Sequence, residues 1–298
     1  MSIGRSVYDR LKRAAKGKDF EVVKRRWAYE RFLSRIAVRA PQDGWVLKGG
    51  VLMLALEQSS SRATQDLDLS IRRGSPSGIG AVLDALDEAC RARPYEADAM
   101  EFRVERASAK LIREAADHPT VRVNIDSVLR CGGAGYKDMP VRFMIDATQA
   151  ELDHEAVPQS LKPTVSGFRT LVVPGYPWEL VAAEKLHAVL TGTIANPRLR
   201  DYMDLLVLLR SGETDATVLA GELARVFAVR RDCLDPDDPV GLSDAFARRR
   251  QQDWAGTLRR TGYGGVLPAS FLEAMDELRA WAVPLVRDAV AAPEPARP

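Results

Sequence analysis

The sequence predicts an α/β (α+β) protein in which strands and helices mix up to about residue 175 and helices alone follow. Short runs of β-branched and apolar residues at 66–71, 121–128, 141–145 and 170–173 are separated by glycine- and proline-rich breaks. From Trp178 onward, apolar residues recur at helical spacing almost to the end. Between the two regions, Pro174-Gly175-Tyr176-Pro177 reads as a lobe boundary. The expected division is 1–175 and 176–298, and 298 residues are enough to bury two cores.

In chain order, residues 5–39 read as helical, with Val22, Val23, Trp27, Tyr29, Phe32, Leu33 and Ile36 at roughly helical spacing until Pro41 and Gly44 break the pattern. A short strand at 45–47 enters a turn at Lys48-Gly49-Gly50, and 51–56 reads as a buried helix. A serine loop at 59–61 precedes the strand 66–71, and a Gly/Ser/Pro loop at 73–78 precedes a helix at 79–91. A short strand is expected at 102–105. The strands 121–128 and 141–145 pair across the glycines at 132–135, and the strand 170–173 follows. Helices are expected at 178–191, 199–210, 217–229, 242–258 and 268–290, with a disordered tail at 291–298.

Composition narrows the class. The chain is 46% apolar and 28% charged, as in soluble globular proteins, with no apolar run of the ~20 residues that a spanning helix needs. The N-terminus is too charged for a signal peptide. Cys90, Cys131 and Cys233 are scattered, which fits reduced thiols in a cytoplasmic protein, and three scattered histidines argue against a zinc enzyme. The net charge of +2 hides an asymmetry: residues 1–40 carry +8 and the rest −6. A basic end that includes Arg10, Lys12, Arg13, Lys16, Lys18, Lys24, Arg25 and Arg26 could grip a polyanion or could be the solvated face of a helix.

The densest chemistry lies at Ser61–Arg62–Ala63–Thr64–Gln65–Asp66–Leu67–Asp68–Leu69. On a strand, Asp66 and Asp68 share one face while Leu67, Leu69 and Ile71 share the other. Paired anions repel unless a cation lies between them, and carboxylate oxygens suit Mg²⁺ held together with substrate phosphates. Glycines at 49 and 50 allow close approach of backbone to a triphosphate. Asp126, on the polar face of 121–128, is the expected third carboxylate. Each piece alone is weak, since Gly-Gly is most often a turn and Asp-x-Asp a solvated face. Together and in order they favour a metal-and-phosphate site.

Two further signals lie beyond residue 176. Lys185 falls within an apolar stripe of Trp178, Val181, Ala182 and Val189. A lysine there usually snorkels to the surface, but it can also neutralise a triphosphate. Asp201 and Asp204 share a helical face, which suits either a first-turn acid preference or a carboxylate that positions Lys185 or receives a proton.

Lys48-Gly49-Gly50, Arg62 to Leu69, Val123-Asn124-Ile125-Asp126, Glu184-Lys185-Leu186-His187 and Arg200 to Leu205, in this order, resemble the AbiEii-type nucleotidyltransferase toxins, the group that includes the MenT toxins. The resemblance covers about residues 44–210. It implies a polymerase-β-like nucleotidyltransferase lobe with a mixed sheet and a helical C-terminal lobe. It implies transfer of nucleotides, with a pyrimidine preference, from NTP to the 3′ acceptor end of tRNA, blocking aminoacylation and translation. The implied cofactor is Mg²⁺, with Mn²⁺ as a substitute, and the implied partners are tRNA, NTP and a cognate antitoxin, with no membrane. By the same resemblance Asp66, Asp68 and Asp126 hold metal, and Lys48, Gly49, Gly50, Arg62 and Lys185 bind the nucleotide. Asp201 or Asp204 supplies the later acid, and Thr64 is a site of inactivating phosphorylation. One departure is Gly-Gly where many polymerase-β-like enzymes have Gly-Ser, so backbone amides must serve where a hydroxyl is missing. The residues also admit transfer to a protein or small-molecule hydroxyl, or an idle binding partner.

Overall fold

The structure is a computed structural model that describes residues 2–56, 64, 66–72, 78–112, 120–132, 135–149, 154–193, 196, 198–233 and 239–291. The chain divides into two compact units, Met1–Ala55 with Thr64–Tyr176, and Leu56–Ala63 with Pro177–Pro298.

The first unit begins with two helices where the sequence suggests one. Helix α1 spans Ile3–Ala14 and α2 spans Phe20–Asp43. Gly17 at φ 77° turns the chain between them, and the Asp19 side chain accepts the Glu21 N–H to cap α2. Helix α2 runs through Pro41, because a proline in the last turn removes one donor only. It stops at Gly44, which takes the left-handed conformation that ends helices.

Among the described residues, seven strands form one mixed sheet in the order β3-β4-β5-β2-β1-β7-β6. They are β1 Trp45–Lys48, β2 Asp66–Ile71, β3 Met100–Ile112, β4 Thr120–Leu129, β5 Met139–Gln149, β6 Val157–Leu161 and β7 Leu171–Gly175. The pairs β2–β5 and β1–β7 are parallel and the others antiparallel. Two strands depart from expectation. Strand β3 continues well past residue 105, with a register shift between Glu105 and Lys110, and β6 has no counterpart among the predicted strands. Helix α3, Gly49–Leu52, is a single turn followed by a 3-10 turn at Met53–Ala55, in place of a helix over 51–56. Helix α4, Ile79–Arg91, lies where the spacing predicts it.

Period-2 alternation divides the sheet's faces. Leu67, Leu69, Val123, Ile125, Phe143 and Ile145 are buried, and Phe32 of α2 meets Phe102 and Phe143 edge to face. The alternate positions carry Asp66, Asp68, Arg122, Asn124, Asp126, Arg142 and Asp146. Buried ion pairs fasten α2 to its surroundings. Arg35 forks onto Asp98 at 2.8 and 3.1 Å, and Arg31 lies over the rings of Trp27 and Phe168.

The second unit is helical: α5 Trp178–Leu190, α6 Leu199–Ser211, α7 Ala216–Arg230, α8 Asp244–Thr261 and α9 Phe271–Ala291. Its core is built from Leu186, Tyr202, Leu205, Leu223, Phe246, Trp254 and Phe271, with Trp254 stacked on Phe271 at 4.4 Å. No described helix is long and apolar enough to cross a membrane.

Candidate active site

In the first unit, strand register decides which charged residues meet. Lys48 lies opposite Asp68, Asp68 opposite Asp146, and Asp146 opposite Arg122. These four form one row across β1, β2, β5 and β4, and cross-strand neighbours of this kind lie about 5 Å apart. Asp66 stands one pleat along, in a row with Met144 and Asn124.

The Gly-Gly turn is built against Asp68. Gly49 has φ 66°, and a Cβ there would collide with the Asp68 carboxylate. The Gly50 backbone N–H donates to the same carboxylate. A glycine is therefore required at position 49 both for its conformation and for the space Asp68 occupies. With α3 only one turn long, the amide contact shown here goes to Asp68.

Asp68 is a carboxylate held away from water beside other carboxylates. Burial pushes its carboxyl up to about 6. Asp66 and Asp146 push in the same direction, while Lys48 and the Gly50 N–H pull it down. Lys48 also lies 5.7 Å from the centre of the Tyr176 ring. Two hard carboxylates, one of them raised by burial and by its acidic neighbours, in a cradle without a Cβ form a donor set that fits a divalent cation.

Asp126 is not brought to this row. It stands opposite Arg142, four residues along β4 from Arg122 and so about 13 Å away at ~3.3 Å per residue. It pairs with Arg103 at 2.8 Å and Arg142 at 3.3 Å. The third carboxylate beside Asp68 is Asp146, which the sequence reading missed. Asp146 is held by Arg122 through two bonds of 2.7 and 2.6 Å. Among the described residues no group of three carboxylate, histidine or cysteine side chains is gathered as a metal cluster. Thr64 is buried, its hydroxyl donating to the Asp66 carbonyl at 3.2 Å. Arg62 lies outside the described residues.

In the second unit, Lys185 does not snorkel. Its ammonium lies 2.9 Å from Asp201 and 2.8 Å from Asp204. Asp204 has no exposed surface, whereas the Asp201 side chain is 17% exposed and also meets Arg198 at 3.5 Å. Arg198 joins this group to a cavity of about 390 Å³ that His187, Thr191, Thr193, Asn196 and Arg230 also line. His187 is fixed at both ring nitrogens, by Asp232 at 2.6 Å and by Arg230 at 2.9 Å.

Residues 31–281 match the family described as "Nucleotidyl transferase AbiEii toxin, Type IV TA system". No curated protein matches the chain. The match spans most of the strands and helices described above and includes all the charged groups of both units' candidate sites. The chain belongs to the AbiEii nucleotidyl transferase toxin family of type IV toxin–antitoxin systems.

Proposed function

We propose that this nucleotidyltransferase moves a nucleotide, with a pyrimidine preference, from an NTP to the 3′ end of tRNA, and that it needs Mg²⁺ to do so. The observation that carries the reading is the Asp66–Asp68 pair set against Gly49 and Lys48, a carboxylate donor set in a chain of this family. Asp66 and Asp68 would hold the divalent cation, which when bound supplies charge stabilisation to the phosphates. Lys48, facing Asp68 across the ladder, lends positive charge on the β1 side. Lys185 is the residue we assign to the triphosphate. Asp204, wholly buried, fixes Lys185, and Asp201 is the member of the pair exposed enough to take a proton from an attacking hydroxyl.

The family brings an antitoxin partner. We assign Thr64 as the residue through which the enzyme is switched off. A phosphate there adds up to about two negative charges beside Asp66 and repels the anionic substrate. Because Thr64 is buried, its modification requires its hydroxyl to become accessible.

The test is incubation of the protein with total tRNA, Mg²⁺ and each labelled NTP in turn, beside Asp66→Ala and Lys185→Ala. Label entering tRNA from CTP or UTP and lost in both variants is the expected result. Label that enters protein instead, or no label with any NTP, overturns the tRNA assignment.

A further inference from the structure

The pair Arg122–Asp146 is not an ordinary cross-strand ion pair in its position. Opposite-charge pairs directly across a ladder are common, and Arg103–Asp126 on the same sheet face is one, with Arg103 77% exposed. Arg122 and Asp146 differ from it in two ways. Their side chains are more enclosed, at 32% and 12% exposed. They also continue the row that holds Asp68 and Lys48. The guanidinium therefore stands at the edge of the carboxylate group and also feels Asp66 and Asp68.

The charges of this group can be counted. Asp66, Asp68 and Asp146 supply three negative charges, which a two-metal arrangement would draw on, but among the described residues they are not gathered as a metal cluster while Arg122 holds Asp146. Arg122 neutralises one of the three and occupies both oxygens of Asp146 in the bidentate geometry that an arginine fork makes well. That leaves Asp66 and Asp68, two charges, whose oxygens no arginine among the described residues takes. Resting on the reading of Asp66 and Asp68 as metal ligands, we propose that Arg122 is a built-in cation of the site. Its guanidinium holds Asp146 where a second divalent ion would otherwise be ligated, so the protein takes one divalent ion per chain. Arg122 is thus a positioning residue that sets metal stoichiometry. A side chain covalently tied to β4 supplies that charge at every metal concentration.

The test is Mn²⁺ binding to the full chain, read from the electron paramagnetic resonance signal of free Mn²⁺, with no substrate present. The wild type is expected to bind one Mn²⁺. Arg122→Gln is expected to bind two, and Arg122→Gln/Asp146→Asn to return to one. Arg122→Lys, which keeps the charge, is expected to stay at one. Asp146→Asn alone, which leaves the Arg122 charge without its partner beside Asp66 and Asp68, should bind one Mn²⁺ more weakly than Arg122→Gln/Asp146→Asn does. That last variant serves if Arg122→Gln does not fold. Two Mn²⁺ on the wild type, one on folded Arg122→Gln, or an Asp146→Asn that binds Mn²⁺ as tightly as Arg122→Gln/Asp146→Asn would each overturn the proposal while leaving the Asp66–Asp68 site standing. No Mn²⁺ on the wild type or any folded variant would remove the metal reading itself, and the proposal with it.

Discussion

The ammonium of Lys185 stands 2.8 Å from a carboxylate oxygen of Asp204 that has no exposed surface, and 2.9 Å from one of Asp201. The two acids are not equivalent partners. A buried carboxylate that loses its cation is left charged in a medium that cannot solvate it, which costs about 3–5 kcal/mol. Lys185→Met should therefore lower unfolding stability by that order. Asp201→Asn should cost less than that, because its side chain is 17% exposed and Asp204 still holds Lys185. Lys185→Met/Asp204→Leu should recover much of the loss. Urea unfolding midpoints measure all three, and strict additivity of the two single changes would show that the pair does not act as a unit.

Gly49 can be separated from another glycine of positive φ. Gly212 takes the left-handed conformation at φ 68°, but nothing among the described residues lies within 4 Å of where its Cβ would be. Gly212→Ala should incur only the backbone penalty of about 1–2 kcal/mol and keep nucleotide transfer. Gly49→Ala carries the same penalty and also displaces the Asp68 carboxylate, so its transfer rate should fall at least a hundredfold. Parallel melting curves and transfer assays decide the matter. Equal activity in the two variants would mean that the fit of Gly49 to Asp68 has no functional weight.

Sequence pattern was most legible where the relevant spacing lies inside one element. Asp66–Ile71 and Ile79–Arg91 are read with their observed bounds, because a period of two or of 3.6 is a property of the element itself. Asp201 and Asp204 share a helical face for the same reason, and both reach Lys185. Relations between elements were legible only in part: the pairing of 121–128 with 141–145 and the approach of Asp201 and Asp204 to Lys185 were read, but the strand register was not. Asp126 and Asp146 both sit on polar strand faces, and only the register of β4 on β5, which sets Val128 against Pro140, slides Asp126 opposite Arg142 and Arg122 opposite Asp146. The far half of β3 is an edge, and its exposed run of Arg106, Ala107 and Lys110 lacks the apolar alternation of a half-buried strand. Strand β6, also at an edge, tolerates Pro158 and so escapes the usual signal. Charge counting at the N-terminus gave the total and not its pairing: Arg31 and Arg35 are buried against Glu96 and Asp98.

Glu30 gives the fold a pH dependence of definite sign. Its buried carboxylate accepts the Thr164 N–H and hydroxyl and meets Arg26 at 3.3 Å. Burial nevertheless raises its pKa, against the pull of Thr164 and Arg26. The folded state then keeps a proton that the unfolded chain releases near the ordinary value of about 4.3. This group's contribution to stability falls as pH rises from there, and levels off once the folded carboxyl has ionised too. Glu30→Gln cannot ionise, so the wild type should lose ground to it between pH 4.5 and pH 8 in urea unfolding. A wild type that gains on the variant over that range would show that Thr164 and Arg26 outweigh burial.

The basic N-terminal region is divided by its contacts into residues that hold the fold and residues that face solvent. Lys24 pairs with Glu21, and Arg26 bonds both Glu30 and the Lys162 carbonyl. Arg10 donates to the Ser166 carbonyl, and Lys12 rests on the ring of Phe20. Arg13, Lys16 and Lys18 are exposed and enter no ion pair among the described residues. If tRNA is the acceptor, its backbone should be met by this second set. Each phosphate contact releases counterions and steepens the salt dependence of binding by ~0.7–0.9 in log–log slope. Arg13→Glu/Lys16→Glu/Lys18→Glu should weaken tRNA binding at least tenfold, flatten the slope by about 2, and leave the melting temperature unchanged. Lys24→Glu/Arg26→Glu should lower the melting temperature, because Glu30 loses its ion pair with Arg26. Fluorescence anisotropy over a range of KCl concentrations reads both terms. An unchanged slope in the first variant would remove this face from RNA binding and return its charge to the role of a solvated helix surface.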